Sequence, residues 1–334
     1  MRLLTFIAAL LFAPAALAQS LPVCTGKDLY AQLKSKNPAL AETMMREAAT
    51  QPYGEGIYFR ASKPGVAPST IIGTFHITDP RIADLPPAVA KALDGADVLA
   101  LELNEPLDPA KMAAVTMQNM DKMFYLGSES LDGKLSKQDA EAVKAAALKT
   151  GMPWVNASKM RPFFLMASLS LPACERARTA AGENSLDTRL GKRAMKAGKP
   201  VVGLETMVGQ LEAVAALPED MKLQALVESA KIGDKAADVL ETMVQFYLEG
   251  EVGMLWAMMN RFTPEGFSEQ NQKAKNAAFQ RVMLDKRNVT MADGSAKLID
   301  VGNAFIAVGA LHLPGEKGLL NLLAQRGYSI ERIQ

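Results

Sequence analysis

Asn303-Ala-Phe-Ile-Ala-Val-Gly-Ala-Leu-His312 is an apolar run of strand length that stops at Gly309 and reaches a histidine three residues later. Leu313-Pro-Gly-Glu-Lys-Gly-Leu-Leu320 follows, a polar turn that opens a helical pattern. The chain has only two histidines, and the other sits in the same setting, Ser69-Thr-Ile-Ile-Gly-Thr-Phe-His76. Each reads as a short β-rich strand, a Gly-x-x-His segment (Gly73 to His76, Gly309 to His312), then a turn before a helix. A single strand-end histidine is more often structural. Two in matching contexts point to a shared site.

Outward from these segments, Thr25 to Met45 reads as helical, with Leu29, Leu33, Leu40 and Met44 at roughly helical spacing. Gly56 to Arg60 and Thr70 to Gly73 read as a hairpin-like pair of strands around the turn Lys63-Pro-Gly-Val-Ala-Pro68. Pro87 to Leu93 is expected to be a helix ending at Gly95, and Val98 to Leu103 a strand that carries Glu102. The stretch Thr70 to Leu103 and the stretch Ala304 to Ile333 thus repeat one plan, strand, Gly-x-x-His, helix, glycine, strand. Between them the pattern is helical, about 108–200 and 207–291, interrupted by the strand Val201 to Leu204 that ends at Glu205. Ser136 has the look of an N-terminal cap. The fold class expected is α/β, a central sheet built from the two repeats with a long helical insertion between them.

The chain is 334 residues long, with Lys+Arg 37 against Asp+Glu 36 and no basic block, which argues against nucleic acid as a partner. Nineteen methionines read as adaptable filler for helix cores. Arg2, the apolar Leu3 to Phe12 and Ala16-Leu17-Ala18 read as a signal peptide of residues 1–18, cleaved near Ala18. The residues before Cys24 lack the small residue that a lipoprotein signal needs, and no later apolar run suits a membrane span. A periplasmic or secreted location follows, and in that oxidising place Cys24 and Cys174 are expected to pair, the alternative being two separate thiols.

His76 and His312 follow their strands, and Glu102 and Glu205 close theirs. In open α/β sheets ligands bind outside the carboxyl ends of the strands, so parallel strands would bring all four together. Two histidines with one or two carboxylates are a frequent ligand set for a catalytic divalent metal. Glu102 inside an apolar strand is costly to bury alone; its bland explanation is an ion pair with Arg161 or Arg287. Glu205 could simply favour a helix start through its charge. Arg287-Asn288 would either clamp a carboxylate or carbonyl of a substrate or mark a helix end. Asn288-Val-Thr290 also fits a glycosylation sequon. No Gly-x-Ser-x-Gly elbow, phosphate loop or Cys-x-x-Cys is present, and Cys174 has no histidine nearby in sequence, so a nucleophilic cysteine is a poor expectation.

Gly73-Thr-Phe-His76, Leu101-Glu102-Leu103, Leu186-Asp187, Gly198-Lys-Pro-Val-Val-Gly-Leu-Glu205-Thr206, Arg287-Asn288 and Gly309-Ala-Leu-His312-Leu-Pro-Gly-Glu-Lys-Gly-Leu resemble the TraB/GumN family, in the family's order and over nearly all of the mature chain. That family includes the Tiki proteases. The resemblance implies a fold like that of the erythromycin esterase and ChaN proteins. It also implies a site of His76, His312 and Glu102, with Glu205, Arg287 and Asn288 as neighbours. Its Tiki members imply manganese or cobalt as cofactor, with zinc an alternative. The function expected is metal-dependent hydrolysis, peptidase-like, acting on a peptide or small molecule. A divalent ion on His76, His312 and Glu102 would acidify water, the remaining glutamate would act as base, and Arg287 or Asn288 would steady the oxyanion. A metal-free version would keep one histidine as the base. The rival is a periplasmic protein that captures a peptide or haem-like ligand in the same crevice without catalysis; a vestigial site on an interaction protein is a third class.

Overall fold

The structure is a computed structural model that describes residues 21–261 and 269–333, with the side chains of 269–272 left aside. The signal peptide, its cleavage site and Pro264 lie outside the described residues. Six strands form one sheet: β1 (Tyr58–Ser62), β2 (Ser69–Thr74), β3 (Val98–Leu101), β4 (Val201–Gly203), β5 (Ala304–Gly309) and β6 (Ser329–Arg332). Their order is β4-β3-β5-β2-β1-β6. β2, β5, β3 and β4 run parallel, while β1 is antiparallel to both β2 and β6, so β6 points the same way as the parallel four. This is the mixed α/β architecture expected from alternating strands and helices.

Side-chain alternation along the strands decides which helix packs where. Ile71, Ala100, Ile306 and Val308 face one side, against Met291 and Ile299 of the helix Lys286–Val301 and Leu319, Leu320 and Leu323 of the helix Leu319–Gln325. Ile72, Leu99, Leu101, Phe305 and Ala307 face the other, against Val89 and Leu93 of the helix Pro87–Gly95 and Leu186 and Leu190 of the helix Leu186–Lys196. The two repeats are visible here. The crossover from β2 to β3 moves one way along the sheet and that from β5 to β6 the other, and their helices lie on opposite faces, as connections of one hand require.

Three expectations are corrected in detail. The first helical region is two helices, Leu29–Lys36 and Pro38–Ala49. Pro38 lacks an N–H and pushes the residue before it out of helical geometry, and Asn37 caps the second helix by accepting from the Leu40 N–H. β3 and β4 stop at Leu101 and Gly203, so Glu102 and Glu205 stand just beyond the strands rather than inside them. Finally, Arg287 and Asn288 mark no helix end. They lie in the first turn of Lys286–Val301, directly after a π-helical turn, Gln280–Asp285, and the helix runs on to Gly302, whose φ of 96° stops it.

Two local readings hold. Ser136 accepts from the Asp139 N–H as the cap of the helix Lys137–Lys149. Cys24 and Cys174 form a disulfide with Cα atoms 5.2 Å apart. Among the described residues no helix is long and apolar enough to cross a membrane.

Candidate active site

Strand register sets the level at which the polar residues emerge. Thr74 at the end of β2 pairs with Gly309 at the end of β5, while Leu101 of β3 lies between Ala307 of β5 and Gly203 of β4. His76, Glu102 and His312 follow these ends and share one crevice at the carboxyl edge of the sheet, while Glu205 lines the neighbouring cavity and joins them through Arg287. His76 Nε2 lies 3.8 Å from Glu102 Oε1, and His312 Nε2 lies 3.7 Å from the same oxygen. The two Gly-x-x-His segments do converge, and the strand-end glutamate is their common neighbour.

Each imidazole is fixed from behind. His76 Nδ1 is 2.8 Å from Asp187 Oδ2, and the Thr74 hydroxyl donates to Asp187 Oδ1 at 2.6 Å. His312 Nδ1 is 2.6 Å from Asn288 Oδ1, and Asn288 Nδ2 donates to the Lys317 carbonyl at 2.8 Å. Oxygen acceptors behind both rings place the hydrogen on Nδ1, so in the neutral ring the Nε2 lone pair faces Glu102. The two environments differ in charge. Burial pushes the His312 imidazole down, as does the Arg287 cation, and together they hold it at about 4 against the pull of Glu102. Desolvation also works against charged His76, but the Asp187 and Glu102 carboxylates outweigh it and raise this ring to about 9. The His76 side chain is 58% exposed, so solvent screens part of that attraction.

Glu102 is buried and held from two sides. Its Oε1 accepts the Gly309 N–H at 2.5 Å, and its Oε2 accepts from Arg287 Nη2 at 2.8 Å. Burial alone would raise its carboxyl, but the two histidines, Arg287 and the Gly309 N–H keep it well below the usual carboxylate range. Arg287 also donates to Glu205 Oε2 through Nε at 2.9 Å and Nη2 at 2.7 Å, and to the Met283 carbonyl at 3.1 Å. Arg287, not Arg161, is thus the ion-pair partner of Glu102; Arg161 bonds the Asp121 carbonyl and lies over the Tyr125 ring. The guanidinium bridges two carboxylates and, in this arrangement, presents no open fork to a substrate. Asn288 is likewise committed to His312 and Lys317 and is 2% exposed, so its role here is to orient the ring, and the sequon around it is closed off.

The crevice opens on a cavity of about 390 Å³, with His76, Glu102 and His312 on one wall and Phe75, Phe163, Phe164, Leu211, Met243 and Met283 among the apolar residues of the others. Gly309 lines it between Glu102 and His76. A Cβ there would lie 2.9 Å from Glu102 Oε1 and 3.0 Å from His76 Nε2, so this position is glycine for space rather than for backbone freedom, its φ being −54°. Gly73 has a different task. A Cβ on it would strike Ala310 of the second Gly-x-x-His segment and Leu313 just after it.

Asp187 and Thr74 stand in segments that carry the family resemblance but receive no role from sequence reasoning, which passes over Gln210. Asp187 looks like any carboxylate in a first helical turn, where the helix dipole favours it, so nothing local marks it as the partner of His76. Gln210 lies 3.4 Å from both Glu102 Oε2 and Glu205 Oε2, one turn into the helix Met207–Ala215. Tyr247, also unmarked in the sequence, donates its hydroxyl to the Gly73 carbonyl at 2.8 Å.

Among the described residues no group of three or more His, Cys, Asp or Glu is placed to hold a metal ion as it stands. The donor chemistry fits one nevertheless. Two imidazoles locked through Nδ1 turn their Nε2 atoms toward a single carboxylate oxygen, and oxygen partners behind ligand histidines are the usual support of such sites.

None of the curated proteins compared matches this chain, and none of the solved structures does. The model of the TraB/PrgY/gumN family matches residues 57–332. That span runs from the residue before β1 to the end of β6 and takes in the whole sheet and every residue of the crevice. The chain therefore belongs to the TraB/PrgY/gumN family, as its paired Gly-x-x-His segments led us to expect.

Proposed function

We propose that the crevice is a hydrolytic site, metal-assisted and peptidase-like, of a protein that works in the periplasm or outside the cell. The observation that carries this reading is the approach of both Nε2 atoms to Glu102 Oε1, 3.8 and 3.7 Å away, with both Nδ1 atoms locked. His76, His312 and Glu102 would hold a divalent ion, manganese or cobalt with zinc an alternative. When bound, such an ion supplies Lewis acidity and lowers the pKa of water toward neutrality.

The protein's own residues supply the rest. Asp187 and Asn288 keep the hydrogen of each ring on Nδ1. Nε2 is then bare in neutral His312 and becomes bare in His76 once its second proton is displaced on ion binding. Arg287 ties Glu102 to Glu205 and prevents two neighbouring carboxylates from repelling each other. Glu205, the carboxylate left over, is the candidate general base. Gln210 can donate at the mouth of the pair. The apolar walls exclude water and accept an apolar part of the substrate, which strengthens every charge interaction inside. The Cys24–Cys174 disulfide supports an oxidising compartment.

The same apolar wall, beside an accessible His76, is the observation behind a second reading, capture of a peptide or haem-like ligand without turnover. Untagged protein assayed against a mixed peptide library with and without Mn²⁺ or Co²⁺ separates the two. Turnover that needs the ion and disappears in His76→Ala, His312→Ala and Glu102→Ala is expected. The three losses should not add, because removing one ligand already empties the site. Ion-free parent protein with no turnover, and alanine variants that only lower the melting temperature additively, would sink the hydrolytic reading.

A further inference from the structure

The turn after His76 is buried through Ile77, Thr78 and Asp79, and it is gripped by charged side chains from two helices. Glu175, 2% exposed, accepts the Thr78 N–H at 2.5 Å on one oxygen and the Thr78 hydroxyl at 2.9 Å on the other. Arg178, also buried, donates to the Thr78 carbonyl at 2.8 Å and to its hydroxyl at 3.1 Å. Both belong to the helix Ala173–Ala180, whose second residue is Cys174. On the other flank, Arg81 binds Asp79 and reaches Glu241 of the helix Ala236–Leu248 with two nitrogens at 2.9 and 2.8 Å. That helix also holds the segment after Cys24, because Asp238 accepts the Lys27 N–H at 2.7 Å and Thr242 the Leu29 N–H at 2.8 Å. The Cys24–Cys174 bond then closes a ring around the turn.

An arrangement of this kind has a physical cost that a purely structural turn would avoid. Burying a carboxylate and a guanidinium desolvates both, and apolar residues of similar volume are often as stable or more so. What buried, fully bonded polar groups do supply is one defined position. His76 needs that, because its own ring is 58% exposed and is held in the crevice by the carboxylates of Asp187 and Glu102. We propose that Glu175 and Arg178, on the helix stapled by the Cys24–Cys174 disulfide, are positioning residues that fix His76 by gripping Thr78. They touch neither Glu102 nor the cavity, so they act through the turn alone. The proposal rests on the reading of the crevice as hydrolytic for its kinetic consequence, but not for its structural one.

The test uses the full exported chain labelled for histidine ring signals, which are only two and are assigned with His312→Gln. Thr78→Val removes the hydroxyl bonds without adding volume, Thr78→Ser keeps them, and Glu175→Gln weakens the grip at its other end. Should Glu175→Gln fail to fold, Thr78→Val carries the test by itself. Thr78→Val should move the His76 signals, leave those of His312 in place and lower kcat by up to about a hundredfold with KM little changed, since small misplacements of a reacting group cost that much. Thr78→Ser should restore both. A Thr78→Val protein that melts lower yet keeps both histidine signals where the parent has them overturns the proposal. If the parent itself turns over no peptide, the hydrolytic reading fails, while the histidine signals still decide whether Thr78 places His76.

Discussion

At the scale of single residues, the two histidines come from matching motifs yet have opposite electrostatics. His312 is enclosed and lies beside the Arg287 cation, whereas His76 has Asp187 behind it. In metal-free protein the expected outcome is one ring that stays neutral down to about pH 4 and one that stays charged up to about pH 9. The linkage follows from the signs. An unfolded histidine titrates near pH ~6.5, so between there and about 4 the unfolded chain holds a proton that native His312 refuses, and stability falls as pH falls through that window. His76 contributes the reverse, stability that is present below its unfolded value and is lost as pH rises toward about 9, muted by exposure of the ring. An NMR titration checks both, and two rings titrating near the ordinary histidine value would contradict it. Arg287 makes a second expectation. Arg287→Ala leaves Glu102 and Glu205 side by side without their cation, and breaking a buried pair this way costs about 3–5 kcal/mol. Arg287→Lys keeps the charge but loses the fork that bridges two carboxylates, so it should fall between alanine and parent in urea unfolding. An alanine variant as stable as the parent would mean that the bridge contributes nothing to folding.

At the scale of elements, most of the reading depended on local signals that the chain carries in the open. Ser136, Asn37 before Pro38, and Gly302 start or stop helices through chemistry that acts within one turn, although only Ser136 enters the expectation from sequence. The π-helical turn Gln280–Asp285 was not legible, because extra residues in a turn leave no mark on composition. It matters, since π turns gather at functional sites and this one delivers Arg287 and Asn288 to the crevice. The two motif glycines give an element-level contrast. Gly73→Ala drives a methyl into Leu313 and Ala310 and should cost about 1–3 kcal/mol of stability, as overpacking does. Gly309→Ala meets Glu102 and His76 instead, so it should reduce ligand binding or turnover more than it reduces the unfolding midpoint. Urea unfolding and activity measured side by side settle the point; equal stability losses with no difference in function would erase the distinction.

At the scale of the whole molecule, one covalent bond links the N-terminal segment to the helical region across 150 residues of chain. Removing it with Cys24→Ser plus Cys174→Ser should lower stability by about 2–5 kcal/mol, chiefly by freeing the unfolded chain. Denaturant curves of that variant against the oxidised parent measure it, and coincident curves would show that packing holds the segment without help. The amino-acid sequence by itself determined the α/β class, the paired Gly-x-x-His segments and the identity of both glutamates, because strand length, apolar runs and glycine spacing are local properties. It also pointed to the cysteine pair, through a count of two. Only the tertiary structure decided who stands behind each histidine and what Arg287 does. Asp187 lies 111 residues from His76 and Arg287 lies 185 from Glu102, and contacts at such separations are set by sheet register and helix packing, which no local pattern encodes.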